Sequence, residues 1–222
     1  MLESPAPLLV LYGSETGNAQ DVAERIAREA CRRHFSAKAI PMDAYSISDL
    51  PKEKLVVFVC STTGQGDPPA NMRKSWRFLL RKSLPTDSLS ATCVAVFGLG
   101  DSGYQQYNVT AKKLTARLSQ LGAHHVVERG LGDDQARCGH YAALDPWLRR
   151  LWPALRALFP LPEGLSEPPP DDQGSGVLDP PKLCVAHLTA PAAAEQEHGS
   201  STAPSRRGGA LAAAAGMRRG LG

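Results

Sequence analysis

Cysteine pairs, metal-ligand clusters, signal sequences and long apolar runs are all missing or weak in this sequence. The five cysteines are odd in number and widely spaced, and none forms a Cys-x-x-Cys pair that could clip a metal or exchange disulfides. His124 and His125 are adjacent but have no further ligands at metal-binding spacing. We therefore expect reduced thiols and no bound metal.

Targeting and charge signals are equally weak. Residues 1–7 lack the basic start and apolar run of a signal peptide, and the longest apolar stretch near the end, residues 210–215, is too short to span a bilayer. The net charge of +3, with 21% charged residues, indicates neither the strongly basic surface of a nucleic-acid-binding protein nor a dominant acidic tail. The sequence predicts a cytoplasmic protein that binds neither membranes nor nucleic acid.

Short apolar runs alternate with segments of helical spacing over residues 1–160. The runs predict five strands, at residues 8–12, 37–40, 55–60, 92–98 and 125–128. Three of them (8–12, 55–60 and 92–98) do not alternate between apolar and polar residues, which indicates burial on both faces. Alternating strands and helices require crossover connections, so the sequence predicts a doubly wound α/β domain with a five-stranded parallel sheet in the order 2-1-3-4-5. Trp76, Trp147 and Trp152 lie at helical spacing with leucines and are predicted to pack in the core.

The composition changes sharply after Phe159. Residues 161–222 are rich in Pro, Gly, Ala and Ser and carry two arginine pairs. Such a composition buries too little apolar surface to offset the entropy of ordering. We expect a linker and a disordered tail here.

The first candidate site follows the first strand, where residues 13–19 read Gly-Ser-Glu-Thr-Gly-Asn-Ala and open a helix. Small residues let the backbone curl around a phosphate, and a helix N-terminus supplies free N–H donors. A nucleoside-triphosphate loop would end in Gly-Lys-Ser/Thr, which is missing here. The loop therefore favours a single terminal phosphate monoester.

Two further loops follow the third and fourth strands. Residues 60–69 contain two glycines and three hydroxyls, and residues 98–108 place Tyr104 and Tyr107 among small residues. An aromatic in such a loop can stack on a planar ligand. Residues 98–103 also match Gly-x-Gly-x-x-Gly, but no acidic residue lies near residues 120–123 to hold a ribose, so we reject a dinucleotide site.

Together the three loops resemble the FMN domain of the diflavin reductases. The matching motifs are Ser-Glu-Thr-Gly-Asn-Ala at 14–19, Thr-Thr-Gly-Gln-Gly-Asp-Pro at 62–68 and Gly-Leu-Gly-Asp-Ser-Gly-Tyr at 98–104. The resemblance covers residues 8–165 and implies a flavodoxin-like fold that binds FMN. It assigns no catalytic residue. The implied FMN contacts are Ser14, Glu15, Thr16, Gly17, Asn18, Ala19, Ser61, Thr62, Thr63, Gly64, Leu99, Gly100, Asp101, Ser102, Gly103, Tyr104, Gln105, Gln106, Tyr107, Asn108 and Asp134.

The same resemblance implies a role as an electron relay. In the family, electrons pass from NADPH through an FAD-binding domain to FMN, and in the branch that this sequence most resembles, on to a cytosolic iron-sulfur assembly protein. Cytochrome P450 reductases carry a tyrosine where this chain has Thr63, so Tyr104 is expected to be the principal stacking aromatic. Negative groups such as Asp101 and Asp134 would disfavour further negative charge on the flavin ring of FMN.

Whether this chain is itself an enzyme is left open by the sequence, because residues 166–222 show no further alternation of strands and helices. One alternative is a redox-silent module that competes with a full-length reductase for its acceptor. Another is a signalling receiver domain, which shares the topology. A receiver needs a phosphate-accepting aspartate at the end of the third strand, where this chain has Cys60 and Ser61.

Overall fold

The computed structural model describes residues 5–161 and 164–166, so most of the predicted linker and tail lies outside the described residues. Strands and helices alternate as predicted. The strands are β1 Pro7–Gly13, β2 Ser36–Pro41, β3 Leu55–Ser61, β4 Cys93–Gly100, β5 His124–His125 and β6 Gly130–Asp133. The α-helices are α1 Asn18–Arg32, α2 Arg73–Leu79, α3 Val109–Gln120 and α4 Tyr141–Leu158, and the 3-10 helices are Met42–Ala44, Ile47–Lys52 and Ala70–Met72.

All strand pairs in the sheet are parallel, and the order is β2-β1-β3-β4-β5. The predicted doubly wound fold and strand order are confirmed. The three central strands are buried along nearly their whole length, because helices cover both faces of the sheet.

The fifth strand differs from its prediction at residues 125–128. Two short strands share that edge: β5 pairs with the start of β4, and β6 pairs with its end. Between them the chain leaves the ladder, and the carbonyl of Glu128 accepts a hydrogen bond of 2.9 Å from the indole N–H of Trp147. The single strand predicted at this edge is therefore two short strands, and the segment between them bonds to Trp147 rather than to β4.

Each face of the sheet has its own apolar core. One core packs α1 and α4 against Val10, Val57 and Phe97, and the other packs α2 and α3 against Leu11, Phe58 and Val96. Trp147 and Trp152 are buried as predicted, whereas Trp76 is only partly buried. None of the described helices is long and apolar enough to cross a membrane.

Candidate functional site

The carboxyl ends of β1, β3 and β4 lie side by side. The strand register aligns Gly13 with Cys60, and Cys60 with Gly98. The three loops that the sequence marks as candidate sites therefore start from one edge of the sheet. In an open parallel sheet this edge, at the point where the winding reverses, is where ligands bind.

The first loop forms a cradle of backbone donors. Gly17 has φ +100°, a conformation that residues other than glycine rarely adopt, and a Cβ at this position would meet no atom within 4 Å beyond its chain neighbours. The hydroxyl of Ser14 accepts the N–H of Gly17 at 3.0 Å. No hydrogen bond in the described part of the chain uses the backbone N–H of Thr16, Asn18 or Ala19. Free N–H groups at the start of a 15-residue helix favour an anion.

The side chain of Glu15 does not belong to this cradle. Its carboxylate accepts the N–H of Ala70 at 3.1 Å, and the side chain of Asn71 accepts the N–H of Ser14 at 2.9 Å. Glu15 can therefore contribute to an anion site only through its backbone. Asn71 fixes the loop from 57 residues away, and no local pattern in the sequence marks it for that role.

The second loop is a tight turn between β3 and α2. Thr63 and Asp67 pair in a short antiparallel bridge, and Gly64 has φ +49°. Thr62 donates its N–H to the carbonyl of Leu99 at 3.1 Å, and its hydroxyl accepts the N–H of Thr110 at 3.3 Å. The second and third loops are thus joined to each other.

The third loop divides into one exposed aromatic and several residues that fix the backbone. Tyr104 is 68% exposed. The hydroxyl of Tyr107 donates to the carbonyl of Leu131 at 3.2 Å, and the buried Asn108 donates its side-chain N–H to Gly132. Tyr104 is therefore the aromatic available to a ligand, and the side chains of Tyr107 and Asn108 position the loop.

Acidic side chains connect the third loop to the loop after β6. Asp101 accepts the N–H of Gly103 at 2.8 Å and the side-chain amide of Gln135 at 3.0 Å. Asp133 accepts the N–H of Ser102 at 2.9 Å. Hydrogen bonds from Ser102 hold the pKa of Asp133 below its ordinary value. Gln135 was not among the predicted site residues.

Asp134 lies beside this network, with an exposed side chain and its N–H donated to the carbonyl of Gly100 at 2.9 Å. The loop continues to His140, whose ring packs against that of Tyr141 with centroids 4.3 Å apart and planes tilted by 37°. Burial lowers the pKa of His140, and the nearby carboxylate of Asp134 opposes that shift. The sequence did not single out His140.

Comparison with known proteins identifies the class of this domain. The flavodoxin family model matches residues 10–147, and the chain belongs to that family. A flavodoxin from Streptococcus pneumoniae TIGR4 superimposes with a TM-score of 0.56 at 20% identity, covering 66% of this chain and 97% of that one. At that identity the likeness supports the fold alone.

The curated relatives are more specific. The chain is 56% identical over 159 residues to NADPH-dependent diflavin oxidoreductase 1 of Danio rerio, covering 72% of this chain and 27% of the relative. It is 51% identical over 188 residues to the protein of that name from Arabidopsis thaliana, covering 83% of this chain and 30% of the relative. The chain thus spans between a quarter and a third of the length of these two relatives.

A flavodoxin domain implies FMN as its cofactor, and the residues present fit that group. The free N–H groups of the first loop suit a phosphate, and the loop contains no lysine or arginine that a triphosphate loop would need. The exposed ring of Tyr104 suits a flat aromatic ring. The loop after β3 presents backbone and hydroxyls rather than bulky side chains.

Proposed function

We propose that residues 1–160 form an FMN-binding electron-transfer domain whose cofactor lies across the ends of β1, β3 and β4. The observation that carries the proposal is the free N–H cradle around Gly17 on the same sheet edge as the exposed Tyr104. FMN, when bound, supplies transfer of electrons one at a time between a donor and an acceptor. The domain boundary at residue 160 and the tail beyond it are part of this proposal.

Each part of the site then has a distinct task. The backbone of residues 14–19 binds the phosphate, residues 61–64 lie along one side of the ring, and Tyr104 stacks on it. Residues 99–108 complete the ring pocket, and Asp101 and Asp134 bring negative charge close to it. The negative charge disfavours any additional negative charge on the ring.

The relatives suggest where the electrons come from and go. By analogy with a protein named as an NADPH-dependent diflavin oxidoreductase, the donor is an FAD- and NADPH-binding domain, and the acceptor is an iron-sulfur assembly protein in the cytoplasm. These partners rest on the resemblance of the three loops and on the relatives' names. The chain takes its electrons from the donor domain because its own candidate loops offer no nicotinamide site.

The direct test is titration of the flavin-free chain with FMN, followed by fluorescence. Saturable binding with quenched flavin emission is the expected result, and absence of binding would refute the proposal.

The FMN-loaded chain is then mixed with NADPH without oxygen. No bleaching of the flavin absorbance is expected until an FAD-containing domain is added, and rapid bleaching without it would reveal a nicotinamide site in this chain.

A further inference from the structure

A positively charged face borders the second loop of the candidate site. Between residues 73 and 82 the sequence has five lysines and arginines and no acidic residue. All five side chains are exposed: Arg73, Lys74, Arg77, Arg81 and Lys82. Within the described residues none of them forms an ion pair. We call this set the basic face.

A groove with an aromatic wall runs along the basic face. Its volume is about 380 Å³, and it is lined by Asp67, Pro68, Arg73, Trp76 and Arg77. Arg73 and Arg77 are four residues apart on α2 and so lie on the same side of the helix. The groove therefore combines the apolar surface of Pro68 and Trp76 with two guanidinium groups and one carboxylate, that of Asp67.

The groove is held in place by hydrogen bonds from neighbouring segments. The guanidinium of Arg73 donates to the carbonyl of Pro68 at 3.2 Å. The carboxylate of Asp43 accepts the N–H groups of Lys74 and Ser75 at 3.1 and 2.8 Å, which fixes the start of α2. Because Asp67 also pairs with Thr63, the groove and the predicted flavin loop share one turn.

We infer that the basic face and its groove dock an acidic polypeptide segment that carries an aromatic side chain, and that this segment belongs to the electron acceptor. The inference rests on the proposed function, because the shared turn brings the docked segment next to the flavin. Carboxylates would pair with Arg73 and Arg77, and the aromatic would pack on Trp76 and Pro68. Such complementary charge accelerates encounter and fixes orientation more than it adds affinity.

The test uses the full chain and a short fluorescein-labelled peptide of alternating Asp and Glu around a central Phe. A peptide with Asn and Gln in place of the acids is its neutral control. The double variant Arg73→Glu, Arg77→Glu should weaken binding of the acidic peptide about tenfold or more. Trp76→Ala should weaken it about fivefold through lost aromatic contact. Binding to the unaltered chain should fall as salt rises.

A matched control reverses two exposed charges that do not line the groove, Lys38→Glu on β2 with Arg150→Glu on α4. This variant has the same net charge as the groove variant and should bind the peptide within about twofold of the unaltered chain. Equal losses in both double variants would overturn the inference, because net charge alone would then account for them. Equal binding of the neutral peptide would also overturn it.

Two further measurements check that the variants are folded and that the groove prefers a polypeptide. Circular dichroism must show that every variant is folded. Single-stranded oligonucleotides and anionic vesicles are tested in place of the peptide. If either binds the groove as tightly as the peptide, the inference is overturned in favour of another polyanion. The peptide assay needs no bound flavin. Failure of the unaltered chain to bind FMN would thus refute the proposed function, whereas the peptide results alone decide whether the groove binds acidic segments.

Discussion

The side-chain amide of Asn108 donates a hydrogen bond of 2.8 Å to the carbonyl oxygen of Gly132. Asn108 is fully buried and has φ +53° and ψ +26°, in the left-handed region. A Cβ atom on Gly98 would lie 2.5 Å from the side-chain oxygen of Asn108. One residue thus joins the end of β4, the start of α3 and the edge strand β6, and so fixes the loop that carries Tyr104.

Replacing Asn108 with alanine should therefore loosen the whole third loop. The variant loses the hydrogen bond to Gly132 and places a less suitable residue at positive φ, so we expect a stability loss of about 1–3 kcal/mol. Urea unfolding of the flavin-free protein measures it. FMN affinity should fall as well, although the side chain of Asn108 contacts the loop rather than the ligand.

Asn108→Gly separates the two causes. Glycine adopts a positive φ without strain but lacks the side-chain amide, so the loss of stability in Asn108→Gly should be smaller than that in Asn108→Ala. If alanine and glycine leave both stability and FMN affinity unchanged, the loop is fixed by other contacts, such as the Tyr107 hydroxyl on Leu131.

The sheet and its three loops could be predicted from sequence because their signals are local. Non-alternating apolar runs indicate buried parallel strands, and small residues after a strand indicate a loop that approaches a ligand. Asn71 and Ser14 are 57 residues apart, and Asn108 and Gly132 are 24 apart. Such pairings depend on tertiary packing, which leaves no periodicity in the chain.

The edge strand of the sheet could not be predicted correctly for the same reason. The sequence predicted one strand at 125–128, whereas the structure has β5 and β6 there, and the carbonyl of Glu128 between them accepts a hydrogen bond from Trp147. Gly132, the acceptor for Asn108, belongs to the segment that was missed as a strand. Residue types identify where a ligand can bind, but the partners that hold the loops come from distant elements.

A carboxylate in the first loop should oppose binding of a phosphate. Thr16→Asp places a negative charge beside the free N–H groups at the start of α1, so FMN affinity should fall by roughly tenfold or more, about 1.4 kcal/mol. Fluorescence titration measures the change. Thr16→Asn has similar size without the charge and is the matched control. If the Asp variant binds FMN as tightly as the Asn variant, the phosphate does not lie at this loop.

Removing the ring of Tyr104 should weaken FMN binding. Its side chain is 68% exposed, so its loss should leave the fold intact while costing on the order of 1 kcal/mol of binding free energy beyond the lost contact area. Tyr104→Ala should also leave the flavin emission less quenched, and Tyr104→Phe should behave almost as the parent. Unchanged affinity and quenching in the alanine variant would assign the stacking role elsewhere.

The Asp133 carboxylate should make the junction between the third loop and β6 sensitive to acid. Its hydrogen bonds from Ser102 hold its pKa below the ordinary value of 3.8. A depressed pKa means that the stabilisation is fully present above the ordinary value and is lost as the pH falls through the lower, folded-state value. The chain should therefore melt at a higher temperature than Asp133→Asn at neutral pH, and the difference should shrink below about pH 4.

Thermal unfolding followed by circular dichroism across that pH range gives the comparison. Asp87→Asn is the control, because the exposed carboxylate of Asp87 takes part in no described hydrogen bond or ion pair. Its melting temperature should follow that of the parent at every pH. A difference between parent and Asp133→Asn that is constant with pH would mean that the variant is destabilised by altered hydrogen-bond geometry rather than by the loss of charge. The Ser102 contact would then not depend on ionised Asp133.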